Sequence, residues 1–271
     1  MLFRLLVVFL IAASLAAANL IDPKDFEDEL GARSLIGTND ADDELAAREL
    51  DEEFSDEDVL ERDLRGKSKY PSVSELDLDA YAGTWFQTHA SALPNQTYEK
   101  GLTCIAANYE VGKSSLLNIF KEVPTIGITN VGRKGGPADG DLVVGKGLAW
   151  QFFPKYPASF VLTMEPKKKG GIIPLGGYKV ILLPEVDETT GRYEWAVVMG
   201  GTRSIFVLVR DVPYFKENLQ DFLLSTLDDM GFNKPYNKPL ETYQGEDCVY
   251  PDFDNLDTTS PKVSLRGGDK E

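Results

Sequence analysis

The chain has 271 residues, with 28 Lys plus Arg against 44 Asp plus Glu, a formal charge of −16 and 42 % hydrophobic residues. That is enough apolar matter for a packed core and the wrong charge for a nucleic-acid binder, which needs a basic face to neutralise phosphates. One histidine (His89) and two cysteines (Cys104, Cys248) exclude zinc fingers, His-cluster metal sites and iron–sulfur ligation, and leave His89 alone to serve any Ser–His or Cys–His chemistry.

Residues 1–18 read as a secretory signal: Arg4 as the basic region, Leu5 to Ala13 as the apolar run, and Ala16-Ala17-Ala18 as the small residues before cleavage. A signal anchor is the alternative, although the run is short for a bilayer span. From Asn19 to Gly66 there are 18 acidic and 5 basic residues, so this leader holds −13 of the total −16. With runs such as Asp51-Glu52-Glu53 and Asp56-Glu57-Asp58, it lacks the apolar area to offset its ordering entropy. Residues 19–69 therefore read as a disordered or partly helical leader: either a propeptide cut near Arg65, Lys67 or Lys69, or a permanent acidic tail.

Residues 70–250 alternate short apolar runs with Gly, Pro and Asn. Strands are predicted at Trp85–Ala90, Ile105–Val111, Leu116–Val123, Phe160–Met164, Tyr178–Leu183, Tyr193–Met199 and Ser204–Arg210. Turn signals fall at Gly112-Lys113-Ser114, Gly135-Gly136-Pro137, Glu188 to Gly191 and Gly200-Gly201, a spacing that suggests an all-β barrel or sandwich. One helix follows, with Asp211 to cap it, Pro213 in its first turn, Gly231 to end it, and Phe215, Leu219, Phe222, Leu223, Leu227 and Met230 along one face. Residues 251–271 read as a flexible polar tail. Neither Gly112-Lys113-Ser114 nor Gly145-Lys146-Gly147 has the context of a phosphate or dinucleotide loop, and no cofactor is implied.

The order from Leu76 onward resembles the lipocalin family. Leu76-Asp77-Leu78-Asp79-Ala80-Tyr81-Ala82-Gly83-Thr84-Trp85 looks like its first motif, Cys104-Ile105-Ala106-Ala107-Asn108-Tyr109 like the second strand of its apolipoprotein D and bacterial lipocalin branch, and Tyr193 to Val198 like the strand after its second motif. Arg210 stands where the third motif places its Arg. The Thr-Asp-Tyr of the second motif is absent, and Pro184 to Gly191 stands in its place.

The resemblance implies an eight-stranded antiparallel up-and-down β-barrel (lipocalin/calycin) with a C-terminal α-helix packed on its outside. In that frame Trp85, Arg210 and Gly83 are structural, with the guanidinium over the indole at the closed end. Period-two alternation and the resemblance together place Gln87 and His89; Ile105, Ala107 and Tyr109; Phe160, Leu162 and Met164; Ala196 and Val198; and Phe206 and Leu208 on the inner face as ligand-lining residues. A solvated rim position is the alternative for His89, and a barrel filled by its own side chains is the alternative to a cavity. Cys104 and Cys248 are expected to pair: that is the default for two cysteines in a secreted chain, and the branch ties its second strand to the segment after the helix. Asn95-Gln96-Thr97 is a glycosylation sequon.

The expectation is a secreted, non-enzymatic carrier of a small hydrophobic molecule: a fatty acid, lipid, retinoid, sterol or pigment. No nucleic-acid partner is expected; membrane or receptor contact would fall to the loop Lys167 to Leu175. The alternatives are a lipocalin-fold enzyme of the de-epoxidase kind, an interaction protein with a filled barrel, and an intracellular fatty-acid-binding protein, the last opposed by the signal and the paired cysteines.

Overall fold

The computed structural model describes residues 69–114, 122–151, 153–164, 176–200 and 204–256. The signal segment, the acidic leader up to 68, most of the expected strand 116–123, the loop 167–175 and the tail from 257 lie outside the described residues.

The lead-in forms one turn of helix, α1 (Leu78–Tyr81), where the Asp77 carboxylate accepts the N–H groups of Asp79 and Ala80 at 2.9 and 3.2 Å. There follow β1 (Gly83–Ala90), a short helix α2 (Ala92–Gln96), β2 (Leu102–Ser114), β3 (Val123–Lys134), β4 (Asp141–Trp150), β5 (Ser159–Met164), β6 (Gly176–Leu182), β7 (Trp195–Gly200) and β8 (Ser204–Val209). Each strand from β2 to β8 pairs antiparallel with the next, β8 pairs with β1, and β1 pairs back onto β2, so eight strands close into a ring. Closure pairs the first and last strands of the sheet, which an open sheet would leave as free edges. The chain runs on through α3 (Val212–Asn218), α4 (Gln220–Asp229) and a two-residue strand β9 (Leu240–Glu241) added to β1.

Period two sorts the side chains into two clusters. Trp85, Ala107, Tyr109, Ile126, Ile128, Ala149, Phe160, Tyr178, Val180, Ala196, Val198 and Leu208 pack together inside the ring. Their strand neighbours Ile181, Val197, Met199, Ile205, Val207 and Val209 face out and are covered by Phe215, Leu223 and Leu227 of the helices. Fully burying each of these large side chains stabilises the fold by about 1.5–3 kcal/mol.

Three expectations are corrected. Strands β3 and β4 were not among those predicted, and the predicted turn Gly112-Lys113-Ser114 continues β2. Glycine is the cause: Gly127, Gly132, Gly145 and Gly147 read as punctuation but sit inside strands, and at Gly132 and Gly147 neighbours come close. A Cβ on Gly147 would lie 2.6 Å from the Met164 sulfur and 2.7 Å from the Thr163 carbonyl. The single predicted helix is two. Leu219, at φ −121° and ψ −22°, ends α3 and begins α4. The break takes Phe222 off the buried stripe, to 61 % exposure, while Phe215, Leu223 and Leu227 are fully buried. At the start of the polar tail Asp252 caps a 3₁₀ turn at Phe253–Asn255.

Candidate functional site

Most of the residues expected to line the barrel share its inside. Ala107, Tyr109, Phe160, Ala196, Val198 and Leu208 are buried in the cluster with Trp85, and Leu162 and Phe206 pack against it. Met164 lies across Gly145 and Gly147, whose missing side chains leave room for its thioether. Ile105 is buried beside Gly132. Gln87 is buried too, and its amide donates to Glu99 Oε2 at 2.9 Å and Thr242 Oγ1 at 3.2 Å.

His89 does not belong with them. The β1 register slips between Gln87 and His89, so Gln87 opposes inward Leu208 while His89 opposes outward Val207. The irregularity inverts the alternation that placed His89 inside. Its ring meets Phe215 of α3 edge-on at 6.0 Å, and its buried Nδ1 has no hydrogen-bond partner among the described residues. Burial first of all, with a contribution from Lys216, lowers its pKa; Glu241 opposes this.

One end of the barrel is closed by a polar latch under an aromatic floor. The Arg210 guanidinium lies 3.6 Å over the Trp85 ring. Its Nη2 donates to the carbonyls of Ala82, Tyr81 and Ala80 at 2.6, 3.2 and 3.4 Å, its Nη1 to Thr84, and its Nε to Tyr193 at 3.3 Å. These include the carbonyls that α1 leaves unpaired at its end. Desolvation, aided by Arg192, pulls the Arg210 pKa down to about 10, so the group stays charged at neutral pH. Trp85 Nε1 donates to the Tyr81 carbonyl at 2.9 Å. Gly83 has φ +90°, and a Cβ there would lie 3.5 Å from Arg210. The β6–β7 connection joins the same end. Asp187 folds it by accepting from Thr189 and Thr190, in place of the missing Thr-Asp-Tyr, and the Tyr193 hydroxyl accepts the Asp77 N–H at 3.0 Å.

Above the floor lies a feature that sequence reading missed. The hydroxyls of Tyr81 and Tyr178 are 2.6 Å apart, and Tyr178 donates to Tyr109 at 3.2 Å. All three residues are buried, and burial is the largest cause raising each phenol pKa, Tyr109 to about 12. The three remain neutral hydroxyls at physiological pH. Tyr178 was legible in principle, since it shares a β6 face with inward Val180; Tyr81 lies in a lead-in with no period to read.

Among the described residues the wall has a seam between β1 and β2. β1 and β2 pair only from Gly83 to Phe86, opposite Tyr109 to Ala106. Beyond Phe86 the segment 240–244 takes the place of β2. β9 pairs with His89 and Ala90, Thr242 N–H donates to the Thr88 carbonyl at 2.7 Å, and Cys104 N–H donates to the Tyr243 carbonyl at 2.9 Å. Gln244 bridges the two lips, donating from Nε2 to the carbonyls of Gln87 (2.8 Å) and Ile105 (2.7 Å). The Cys104–Cys248 disulfide, spanning 144 positions, pins this segment down. Cys104 itself has φ +52°, at the irregularity where β2 departs.

Glu99 and Asn95 belong to the connection that leaves β1 at the opposite end from Arg210. Desolvation raises the Glu99 pKa to about 7, against the stabilising bond from Gln87. Asn95 donates from Nδ2 to the Ala90 and Ser91 carbonyls, both at 3.1 Å.

Fold and site together define a closed eight-stranded up-and-down antiparallel barrel, floored at one end and flanked by C-terminal helices. No family profile and no curated protein matches the chain. Among solved structures it is similar to insecticyanin of the tobacco hornworm Manduca sexta, with 15 % identity and a TM-score of 0.45 over 66 % of this chain and 87 % of that one. It is also similar to the amine binding protein of Rhodnius prolixus, solved with tryptamine, with 15 % identity and a TM-score of 0.37 over 68 % and 90 % of the two chains.

Proposed function

We propose that the protein is a secreted, lipocalin-like carrier that takes a small hydrophobic molecule into the barrel and holds it without covalent chemistry. The observation that supports this most is the inner face itself. It is apolar, and it is small at Ala107, Ala149 and Ala196, while Trp85 and Arg210 close one end. Taking about 200 Å² of apolar ligand surface out of water into such a lining gains about 5 kcal/mol. The lining set is then Ala107, Tyr109, Phe160, Leu162, Met164, Ala196, Val198, Phe206 and Leu208, with Gln87 and Ile105 along the seam. The second reading, a de-epoxidase-like enzyme, would need carboxylates clustered inside the barrel for its proton relay; Glu99, bonded to Gln87, is the carboxylate to replace in testing it.

Secretion rests on the signal-like residues 1–18 and on the disulfide, which suits an oxidising compartment. The bridge from β2 to the segment after the helices supports placement near the apolipoprotein D branch. A glycan on Asn95 would replace one of the two N–H groups now bound to backbone carbonyls, so modification fits a nascent chain better than the finished fold.

Tryptophan fluorescence tests the carrier reading, because Trp85 stands in the floor. Titration with a fatty acid, a retinoid, a sterol and a carotenoid pigment is expected to give saturable quenching with at least one of them. Saturable binding by none would refute the proposal.

A further inference from the structure

The buried hydroxyls of Tyr81, Tyr178 and Tyr109 carry an accounting that does not depend on how their hydrogens are drawn. Three O–H groups share two hydrogen bonds, so one hydrogen is always left over. The geometry says whose. Tyr178 spends its hydrogen on Tyr109, so Tyr81 must donate to Tyr178, and Tyr109 has nothing to donate to among the described residues. Tyr109 is only 5 % exposed. A buried donor without an acceptor is costly, and native interiors usually satisfy one by protein, water or ligand.

The surroundings say what would satisfy it. Beside Tyr109 on the inner face of β2 is Ala107, and Ala149 and Ala196 belong to the same buried interior. The charge of Arg210 behind the Trp85 ring acts on the Tyr81 and Tyr109 hydroxyls. A positive potential and a spare donor both select an electron-rich oxygen. The apolar lining disfavours an ionised group there, because an ion would lose its hydration with a single hydrogen bond in return.

We infer that the tyrosine chain is a polar subsite at the floor of the barrel, in which the Tyr109 hydroxyl donates to a neutral carbonyl oxygen at the leading end of an otherwise apolar ligand. This rests on the carrier reading and narrows it to aldehydes, ketones or esters of hydrophobic molecules.

The test uses 2-acetylnaphthalene and 2-ethylnaphthalene, which share a skeleton and differ in the carbonyl. Titrated into the intact protein, the ketone is expected to bind about two- to tenfold more tightly, the range of one net hydrogen bond. In Tyr109→Phe that preference is expected to vanish through loss of ketone affinity alone. Infrared spectroscopy of the bound ketone supplies a readout that needs no variant: its carbonyl stretch should lie below its position in hexane. Equal affinities with an unshifted stretch would overturn the subsite and leave the carrier reading standing. A preference that survives in a folded Tyr109→Phe, or a bound ketone whose carbonyl is as free as in hexane, would overturn it too. Saturable binding by neither probe would count against both readings.

Discussion

Replacing Gln244 with leucine probes the seam of the barrel. Its Nε2 satisfies the Gln87 and Ile105 carbonyls, the residue is 6 % exposed, and its Oε1 accepts from Tyr250. Leucine keeps the bulk and leaves those partners bare. Each buried group stripped of its partner costs about 1–3 kcal/mol, so the two carbonyls together cost about 2–5 kcal/mol once partial solvation is allowed for. In a domain of this size that lowers Tm by about 5–15 °C. The disulfide should modulate this effect. On the chain-entropy argument, a loop of 144 positions gives the Cys104–Cys248 bridge about 5 kcal/mol. If the bridge also holds Gln244 in the seam, the two losses are not additive. Urea unfolding of Gln244→Leu, of Cys104→Ser with Cys248→Ser, and of the combination forms the cycle, with an expected coupling of at least 1 kcal/mol. A Gln244→Leu protein within 0.5 kcal/mol of wild type, or strictly additive losses, would refute the view that this segment acts as the missing stretch of wall.

Arg210→Ala removes a cation–π contact worth about 0.5–2 kcal/mol and several carbonyl partners, so Tm and ligand affinity should both fall. Arg210→Lys should not restore them, since an ammonium lacks the planar fork; calorimetry showing full rescue would argue otherwise. The Glu99 pKa is raised in the fold, so the stability of its neutral form is present below about pH 4.5 and is lost as pH rises through about 7. Glu99→Gln keeps an acceptor for Gln87 and should raise Tm relative to wild type at pH 8 and leave it unchanged at pH 4; an equal difference at both pH values would contradict the assignment. His89 is held neutral by burial, so its contribution is complete above about pH 6.5 and declines as pH falls toward its lowered pKa. His89→Phe removes an unpartnered Nδ1 and should be neutral or stabilising at pH 7.5 and more stabilising at pH 5.5. Ligand affinity should not change, because the ring faces α3; a loss of binding in thermally intact His89→Phe would return it to the interior.

Local rules carried much of the fold. Asp77 and Asp211 cap helices because a carboxylate beside free N–H groups needs no distant partner, and Gly231 ends α4 at φ +92° for an equally local reason. Alternation placed Ala107, Tyr109, Phe160, Ala196, Val198 and Leu208 together, since regular strands keep period two. It failed at His89, where one slip in register turned the side chain to the other face. It also failed in β3 and β4, where glycines serve close contacts with residues on other strands.

Composition, period and capping thus determined from sequence that the chain builds short strands around an apolar inside, with helix after them, because each of those signals is spent within a few residues. Only the tertiary structure decided that Tyr81, Tyr109 and Tyr178 share hydroxyls and that Gln244 mends the wall between β1 and β2. Those contacts join positions far apart along the chain, and their energy appears only when closure brings the partners within hydrogen-bond reach and removes the water that would otherwise satisfy them.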